Sequence, residues 1–363
     1  MNWTSSDFRW MQRALELAAR GRLTTWPNPM VGCVVVQHER IVGEGWHATF
    51  GQAHAEVNAL RQVDAGLDLS TATAYVTLEP CSHTGKTPPC ADLLLTRGVG
   101  RVVVAMEDPN PQVSGRGVAR LKQAGVQVEV GCLEENARAL NRPFVHAMTS
   151  RRPWITLKWA QSEDGFLDPD VCAATGRGGH PMTGATAGRH THSLRAAHDG
   201  ILVGMRTWLV DSPSLTTRLV PGRSPKRFVL TSGQTPWTEG APQGQPGFAT
   251  LLCPSARLSS NHMDTWRAKG YDVVALDGDV FSEAWWTQFT EQCEVAACMV
   301  EGGAHVAAGV LEAGCWDELH VLHARPVLQT GLHAPETPSW SPHRTQPMGR
   351  DFLEVWQNLD ASC

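Results

Sequence analysis

His54-Ala55-Glu56-Val57 and, downstream, Pro80-Cys81-Ser82-His83-Thr84-Gly85-Lys86-Thr87-Pro88-Pro89-Cys90 decide how this chain folds. The first stretch opens a helix predicted over His54 to Val63, and the second follows a strand predicted over Ala74 to Leu78 that ends at Pro80. A helix start and a strand end meet at one edge of a sheet, so side chains far apart in sequence come together there. One imidazole and two thiolates make three good zinc ligands, here His54, Cys81 and Cys90. Three protein ligands leave the fourth tetrahedral position open for water, as a catalytic zinc site requires and a structural one does not. Taken singly, a helix histidine or a buried thiol is the commoner meaning of each residue. Only their combination with Glu56 and Pro80 makes metal binding the better explanation.

Glu56 stands two residues beyond His54, close enough to take a proton from that water and return it to a ring nitrogen and a leaving amine. A His-x-Glu segment paired with Pro-Cys and a later Cys is the arrangement of zinc deaminases, in which Glu56 would be a proton shuttle and not a ligand. Nucleic-acid deaminases usually place two residues between the cysteines. Here the longer segment Ser82 to Pro89 adds His83, Lys86 and hydroxyls beside the metal, a set suited to a phosphate group. A small phosphorylated substrate is expected, and an ordinary solvated turn is the alternative for that segment. Cys33 falls on a core strand, and the other cysteines lack ligand spacing and are expected to be structural.

Working outward, Phe8, Met11, Leu15 and Ala18 recur at helical spacing, and Gly21 stops that helix. Val31 to Val36 predicts a buried strand, joined by a turn at Gln37 to Arg40 to a second strand, Ile41 to Gly45. A helix over Ala91 to Arg97, a strand over Arg101 to Ala105, a helix over Val118 to Gln123 and a strand over Val126 to Val130 complete a βαβα alternation around a mainly parallel sheet. Asn141 to Pro153, with Pro143 and Pro153, breaks that rhythm and divides a first domain, residues 1–146, from a second, residues 152–363. Strands are expected there near Trp154 to Ala160, Gly200 to Val203, Arg227 to Leu230, Tyr271 to Ala275, Ala297 to Glu301 and Glu318 to His323. Loops are expected at Thr235 to Gly247 and Thr330 to Pro347.

A chain of 363 residues is long enough for two cores, and 42% hydrophobic against 18% charged residues excludes wholesale disorder. A net charge of −5 without a basic run argues against a nucleic-acid partner. No window offers the roughly 20 apolar residues of a membrane helix. Met1 to Arg13 does not have the pattern of a signal peptide, so the ten cysteines are expected to be mostly reduced and the compartment to be the cytoplasm.

Longer motifs carry a resemblance over nearly the whole chain. Thr25-Trp26-Pro27-Asn28-Pro29-Met30-Val31-Gly32-Cys33, His54-Ala55-Glu56-Val57, Thr77-Leu78-Glu79-Pro80-Cys81-Ser82-His83 and Asp108-Pro109-Asn110-Pro111 resemble the bifunctional riboflavin biosynthesis family, a pyrimidine deaminase fused to a reductase. The second half is similar to that family's reductase domain at Leu194-Arg195-Ala196, Asp199 to Gly204, Thr207, Asp211 to Thr216, Arg218 and Glu301-Gly302-Gly303. The resemblance implies a cytidine-deaminase-like three-layer α/β domain followed by a dihydrofolate-reductase-like α/β domain. It implies zinc on His54, Cys81 and Cys90, Glu56 as proton shuttle, Asn28 on the pyrimidine, and His83, Lys86 and Asn110 holding the ribosyl phosphate. In the second domain it implies Arg195, Arg218 and Glu301 facing substrate, and Ala160, Thr207, Asp211, Gly302 and Gly303 facing NADPH. A homo-oligomer is also implied. Independently, Gly302-Gly303 lies between a predicted strand and a predicted helix, where backbone N–H groups can receive phosphate, although a tight turn would read the same way.

The chain departs from the family pattern at Ser162-Glu163-Asp164-Gly165-Phe166, where the family has Ser-Leu-Asp-Gly and then Lys or Arg, and at His180-Pro181-Met182-Thr183, where it has Trp-Ile-Thr. Glu163, Phe166 and Pro181 predict weakened or retuned cofactor binding. The expected activity is zinc-dependent deamination of 2,5-diamino-6-(5-phosphoribosylamino)pyrimidin-4(3H)-one, then reduction of the ribosyl group to ribityl with NADPH. The alternatives are a deaminase with a silent second domain, a deaminase acting on tRNA or cytidine, and a zinc-stabilised interaction protein. The open coordination position beside Glu56 argues against the last.

Overall fold

The computed structural model describes residues 3–82, 88–111, 113–168, 182–238, 241–242, 247–258 and 260–359. The chain forms two compact units, Met1–Ser150 and Arg151–Cys363. In the first, strand Gly32–Gln37 pairs antiparallel with Arg40–Trp46 on one side and Thr73–Val76 on the other. Arg101–Val104 and Gln127–Val130 then extend the sheet in parallel from Thr73–Val76. The hairpin is as tight as predicted, because His38 and Glu39 take φ of 51° and 57°, the paired left-handed conformation that matches strand twist.

Alternation in the Val-rich strand splits the core. Cys33 and Val35 face the layer of Ala55, Ala59, Leu94 and Leu121, while Val34 and Val36 face that of Trp10, Met11, Leu17 and Ala137. Helices thus cover both faces of the sheet, giving three layers. Helix Ser5–Ala19 presents Met11, Leu15 and Ala18 to this core as its spacing predicts, but Phe8 is 43% exposed; Trp10, Ala14 and Leu17 complete the buried face. The stretch expected to break the fold at Asn141 to Pro153 instead contains helix Arg142–Thr149, with Pro143 in its first turn. There proline lacks only an N–H that no helical partner would accept, so it starts a helix as readily as it ends one.

The second unit has one nine-stranded sheet in the order Tyr271–Leu276, Ala249–Pro254, Lys226–Leu230, Gly200–Gly204, Ala297–Gly302, Trp154–Gln161, Glu318–His323, Asp351–Gln357, Arg344–Met348. The first seven run parallel, and the last two attach antiparallel. Strand Arg344–Met348 lies in part within the stretch expected to be a loop. It is an edge strand, where Pro347 can sit without breaking a ladder. Strand Leu332–His333 also falls in that stretch, pairing with Phe166–Asp168. Among the described cysteines seven are free thiols, whereas Cys315, expected to be a structural thiol, is disulfide-bonded.

Candidate active sites

His54 caps the N-terminus of helix Ala55–Leu60, and Cys90 is the first residue of helix Cys90–Thr96. The close approach of helix Ala55–Leu60 to its sheet depends on Gly43 and Gly45, since a Cβ at either would lie 2.4 or 2.5 Å from the Ala59 backbone. At the end of Thr73–Val76 the chain delivers Cys81, and His54 Nδ1 lies 3.6 Å from Cys81 Sγ and 3.3 Å from Cys90 Sγ. Ligands at zinc's normal bond lengths in a tetrahedron stand about 3.6 Å apart, so the three donors fit the ion. All three lie within 4.8 Å of one another, the one such group of His, Cys, Asp and Glu among the described residues.

The Cys90 N–H donates to Cys81 Sγ at 3.2 Å. The Cys90 thiol and the His54 ring, against the opposing effect of burial, hold the Cys81 thiol below its ordinary value, toward the thiolate a metal needs. Glu56, one helical residue further in, is 3% exposed. Burial pushes its carboxyl up to about 7, and the neighbouring Cys81 adds to the rise. A carboxyl poised there can both take and give a proton near neutral pH.

Asn28 Nδ2 lies 3.1 Å from His47 Nε2, and His47 Nδ1 is 3.1 Å from the Ala53 carbonyl oxygen. The His47 ring also meets the His54 ring edge-on at 5.7 Å between centroids. His47 is therefore a residue of this site that the sequence reading missed; burial holds its ring below its ordinary pKa. Its one sequence signal is a histidine just past the strand end at Trp46. Asn110 stands on the segment after Met106, its N–H donating to Asp108 Oδ1 at 2.9 Å. His83 and Lys86 lie outside the described residues.

In the second unit a cavity of about 830 Å³ opens at the carboxyl ends of the parallel strands, the usual place for a ligand in such a sheet. Ala160, Thr207, Asp211, Glu301, Gly302 and Gly303 all line it, together with Lys158, which matches the family on the first strand of this unit, and with Asp168, Arg206, Thr231, Ser232 and His305, which the sequence does not single out. Gly303, at φ 84°, turns the chain from strand Ala297–Gly302 into helix Ala304–Ala313, and Gly302 packs so closely that its Cβ would lie 2.9 Å from Thr207 Cγ2. Ala304, His305 and Val306, at the start of that helix, also line the cavity, and a helix start is where backbone N–H groups can receive an anion.

Glu301 is gripped from two sides. Arg195 donates to both its oxygens, at 2.7 and 2.8 Å, and Lys158 Nζ lies 3.5 Å from Oε1. Although burial pushes it up, Lys158 and Arg195 hold the Glu301 carboxyl below its ordinary value, while burial lowers Lys158. Arg195 also donates to the Thr216 carbonyl and lies outside the cavity lining, beneath Glu301. Arg218 likewise does not line the cavity; its guanidinium donates to Ser214 Oγ at 2.9 Å. Glu163 is exposed and off the cavity wall; Phe166 is half-buried, also off the wall, and its ring lies tilted against that of His333 at 4.3 Å between centroids. Pro181 lies outside the described residues.

Residues 4–106 match the family model of the cytidine and deoxycytidylate deaminase zinc-binding region, and residues 153–331 that of the RibD C-terminal domain. The chain is 40% identical over 328 residues to riboflavin biosynthesis protein RibD of Bacillus amyloliquefaciens, covering 90% of this chain and 86% of that one. Among solved structures, Acinetobacter baumannii RibD in its form 2 gives a TM-score of 0.80 at 32% identity, over 97% of this chain and 98% of that one. A diaminohydroxyphosphoribosylaminopyrimidine deaminase/5-amino-6-(5-phosphoribosylamino)uracil reductase from Thermotoga maritima gives 0.78 at 30% identity, with the same coverage. With a zinc-binding deaminase region and a RibD C-terminal domain both in place, this chain belongs to the riboflavin biosynthesis protein RibD family.

Proposed function

We propose that residues 1–146 deaminate 2,5-diamino-6-(5-phosphoribosylamino)pyrimidin-4(3H)-one and that residues 152–363 reduce the ribosyl group of the product to ribityl with NADPH. The observation that carries this is the convergence of His54, Cys81 and Cys90 at zinc spacing beside the buried Glu56. Zinc, when bound, supplies a Lewis acid that brings water near a pKa of about 7. Glu56 would take a proton from the attacking water and give it to the ring nitrogen, then take a second from the hydroxyl newly added at the ring carbon and give it to the departing amine. Asn28, steadied by His47, orients the pyrimidine, and Asn110 with His83 and Lys86 holds the phosphate end.

In the second unit Gly302, Gly303, Thr207, Asp211 and Ala160 form the cofactor wall of a cavity whose volume suits a dinucleotide's reactive half. NADPH, when bound, supplies the hydride. The reduction also consumes a proton, and Lys158, paired with Glu301 on the cavity wall, is the group placed to hold it at the sugar. Arg195 keeps Glu301 in position. A cytoplasmic location and a homo-oligomer belong to the same proposal, which cell fractionation and sedimentation check.

A coupled assay with the phosphorylated pyrimidine, following ammonia and NADPH separately, tests both halves. Glu56→Gln should lower ammonia release at least about 100-fold while zinc content stays at the wild-type level. Undiminished ammonia release in that variant would refute the shuttle. Absence of NADPH oxidation with the deaminated intermediate would leave a deaminase with a silent second unit.

A further inference from the structure

Glu79 is 5% exposed, and the proposed chemistry leaves it without a task. Its two oxygens accept four backbone N–H groups: Oε2 from Asp108 at 3.1 Å and Gly115 at 2.9 Å, Oε1 from Gly117 at 2.8 Å and Val118 at 3.1 Å. Each oxygen has two donors, which fills its acceptor capacity. The donors lie at both ends of one segment, and Asn110 stands between them. Within that segment the Asn110 carbonyl accepts from Val113 and Ser114, and its N–H donates to Asp108, so a shift of Asp108 carries Asn110 with it. A second contact ties the same places together, since a Cβ on Gly117 would lie 1.9 Å from the Pro80 carbonyl oxygen. Glu79 and Pro80 are the residues that lead directly into Cys81.

We infer that Glu79 is a positioning residue for the deamination: it clamps the segment carrying Asn110 onto the strand end that delivers Cys81, and so sets the distance between the phosphate-holding group and the metal. This rests on the function proposed for the first unit. A carboxylate that only capped helix Arg116–Gln123 would affect stability alone; one that sets a distance between two parts of a site affects the recognition of a substrate spanning them.

The test is Glu79→Gln in the full chain. The amide keeps one accepting oxygen and turns an NH₂ toward the other pair of N–H donors, so two of the four bonds are lost and the clamp is loosened. With the phosphorylated pyrimidine, KM for ammonia release should rise roughly tenfold, with kcat and zinc content at wild-type levels. The dephosphorylated substrate should show no such rise. In an Asn110→Ala background, Glu79→Gln should raise KM little further, because the group it positions is gone. Unchanged KM, a matching rise for the dephosphorylated substrate, a full additive effect in the Asn110→Ala background, or loss of zinc with loss of kcat would each overturn the inference. If Glu79→Gln does not fold, as judged by its thermal transition, Gly117→Ala carries the same comparison under the same criteria. Failure of the wild type to release ammonia would refute the function proposed for the site, which is a different result from any of these.

Discussion

Arg195 and Glu301 are nearly buried charges that offset each other, with Lys158 beside the carboxylate as a second partner. Breaking a buried pair by removing one partner leaves an uncompensated charge, which is why the geometry of the fork matters more than its sign. A lysine is a point charge and cannot span both oxygens as the guanidinium does. Arg195→Lys is therefore expected to lower NADPH oxidation with the deaminated intermediate roughly 10- to 100-fold and to leave ammonia release at its wild-type rate. Steady-state assays of the two half-reactions check this, and a parallel fall in both would contradict it. Asp7 is the corresponding case in the first unit. Burial pushes its carboxyl up, but Arg101, Thr4 and Tyr75 together hold it well below the ordinary range. Its native pKa lies below the unfolded value of about 3.9, so its stabilisation is present above that pH and is lost as the solution is acidified. Asp7→Asn should cost about 1–3 kcal/mol at pH 7, with the gap from wild type narrowing at pH 3 in denaturant titrations. A gap of the same size at both pH values would exclude this account.

Helix Ala55–Leu60 is only six residues long, too short to be stable by itself, and it carries His54, the proposed metal ligand, at its cap and Glu56, the proposed proton shuttle, in its first turn. Its position comes from packing on strand Arg40–Trp46 through Gly43 and Gly45. Gly45→Ala would place a methyl 2.5 Å from the Ala59 nitrogen and force the helix outward. The expected result is a loss of about 1–3 kcal/mol, with zinc affinity and ammonia release both lowered. Zinc titration with a chromophoric chelator, alongside thermal melting, measures the two effects, and a variant with wild-type zinc affinity would show that the close approach is not what places His54.

Each unit encloses its own core and its own candidate site: the metal-spaced donors come wholly from the first, and the cavity lining wholly from the second. Removing the metal should therefore separate the activities. Chelation is expected to abolish ammonia release, to leave NADPH oxidation with the deaminated intermediate unchanged, and to be reversed by added zinc. Loss of NADPH oxidation on chelation, followed in the same cuvette, would show that the second reaction depends on the first site.

The sequence by itself determined the interior strands and singled out the three donors that the fold brings together. His54, Cys81 and Cys90 were legible because zinc accepts few side-chain types, and the Val-rich strand because a strand buried on both faces has to be apolar throughout. Only the tertiary structure decided that Pro143 starts a helix, that Arg344–Met348 is an edge strand, and that Glu79 and His47 have partners at the first site. In each of these cases the deciding partner is a backbone amide, a vacant sheet edge or a residue remote in sequence. Backbone groups are the same at every residue, so the pattern of side chains carries no mark of where they will be needed.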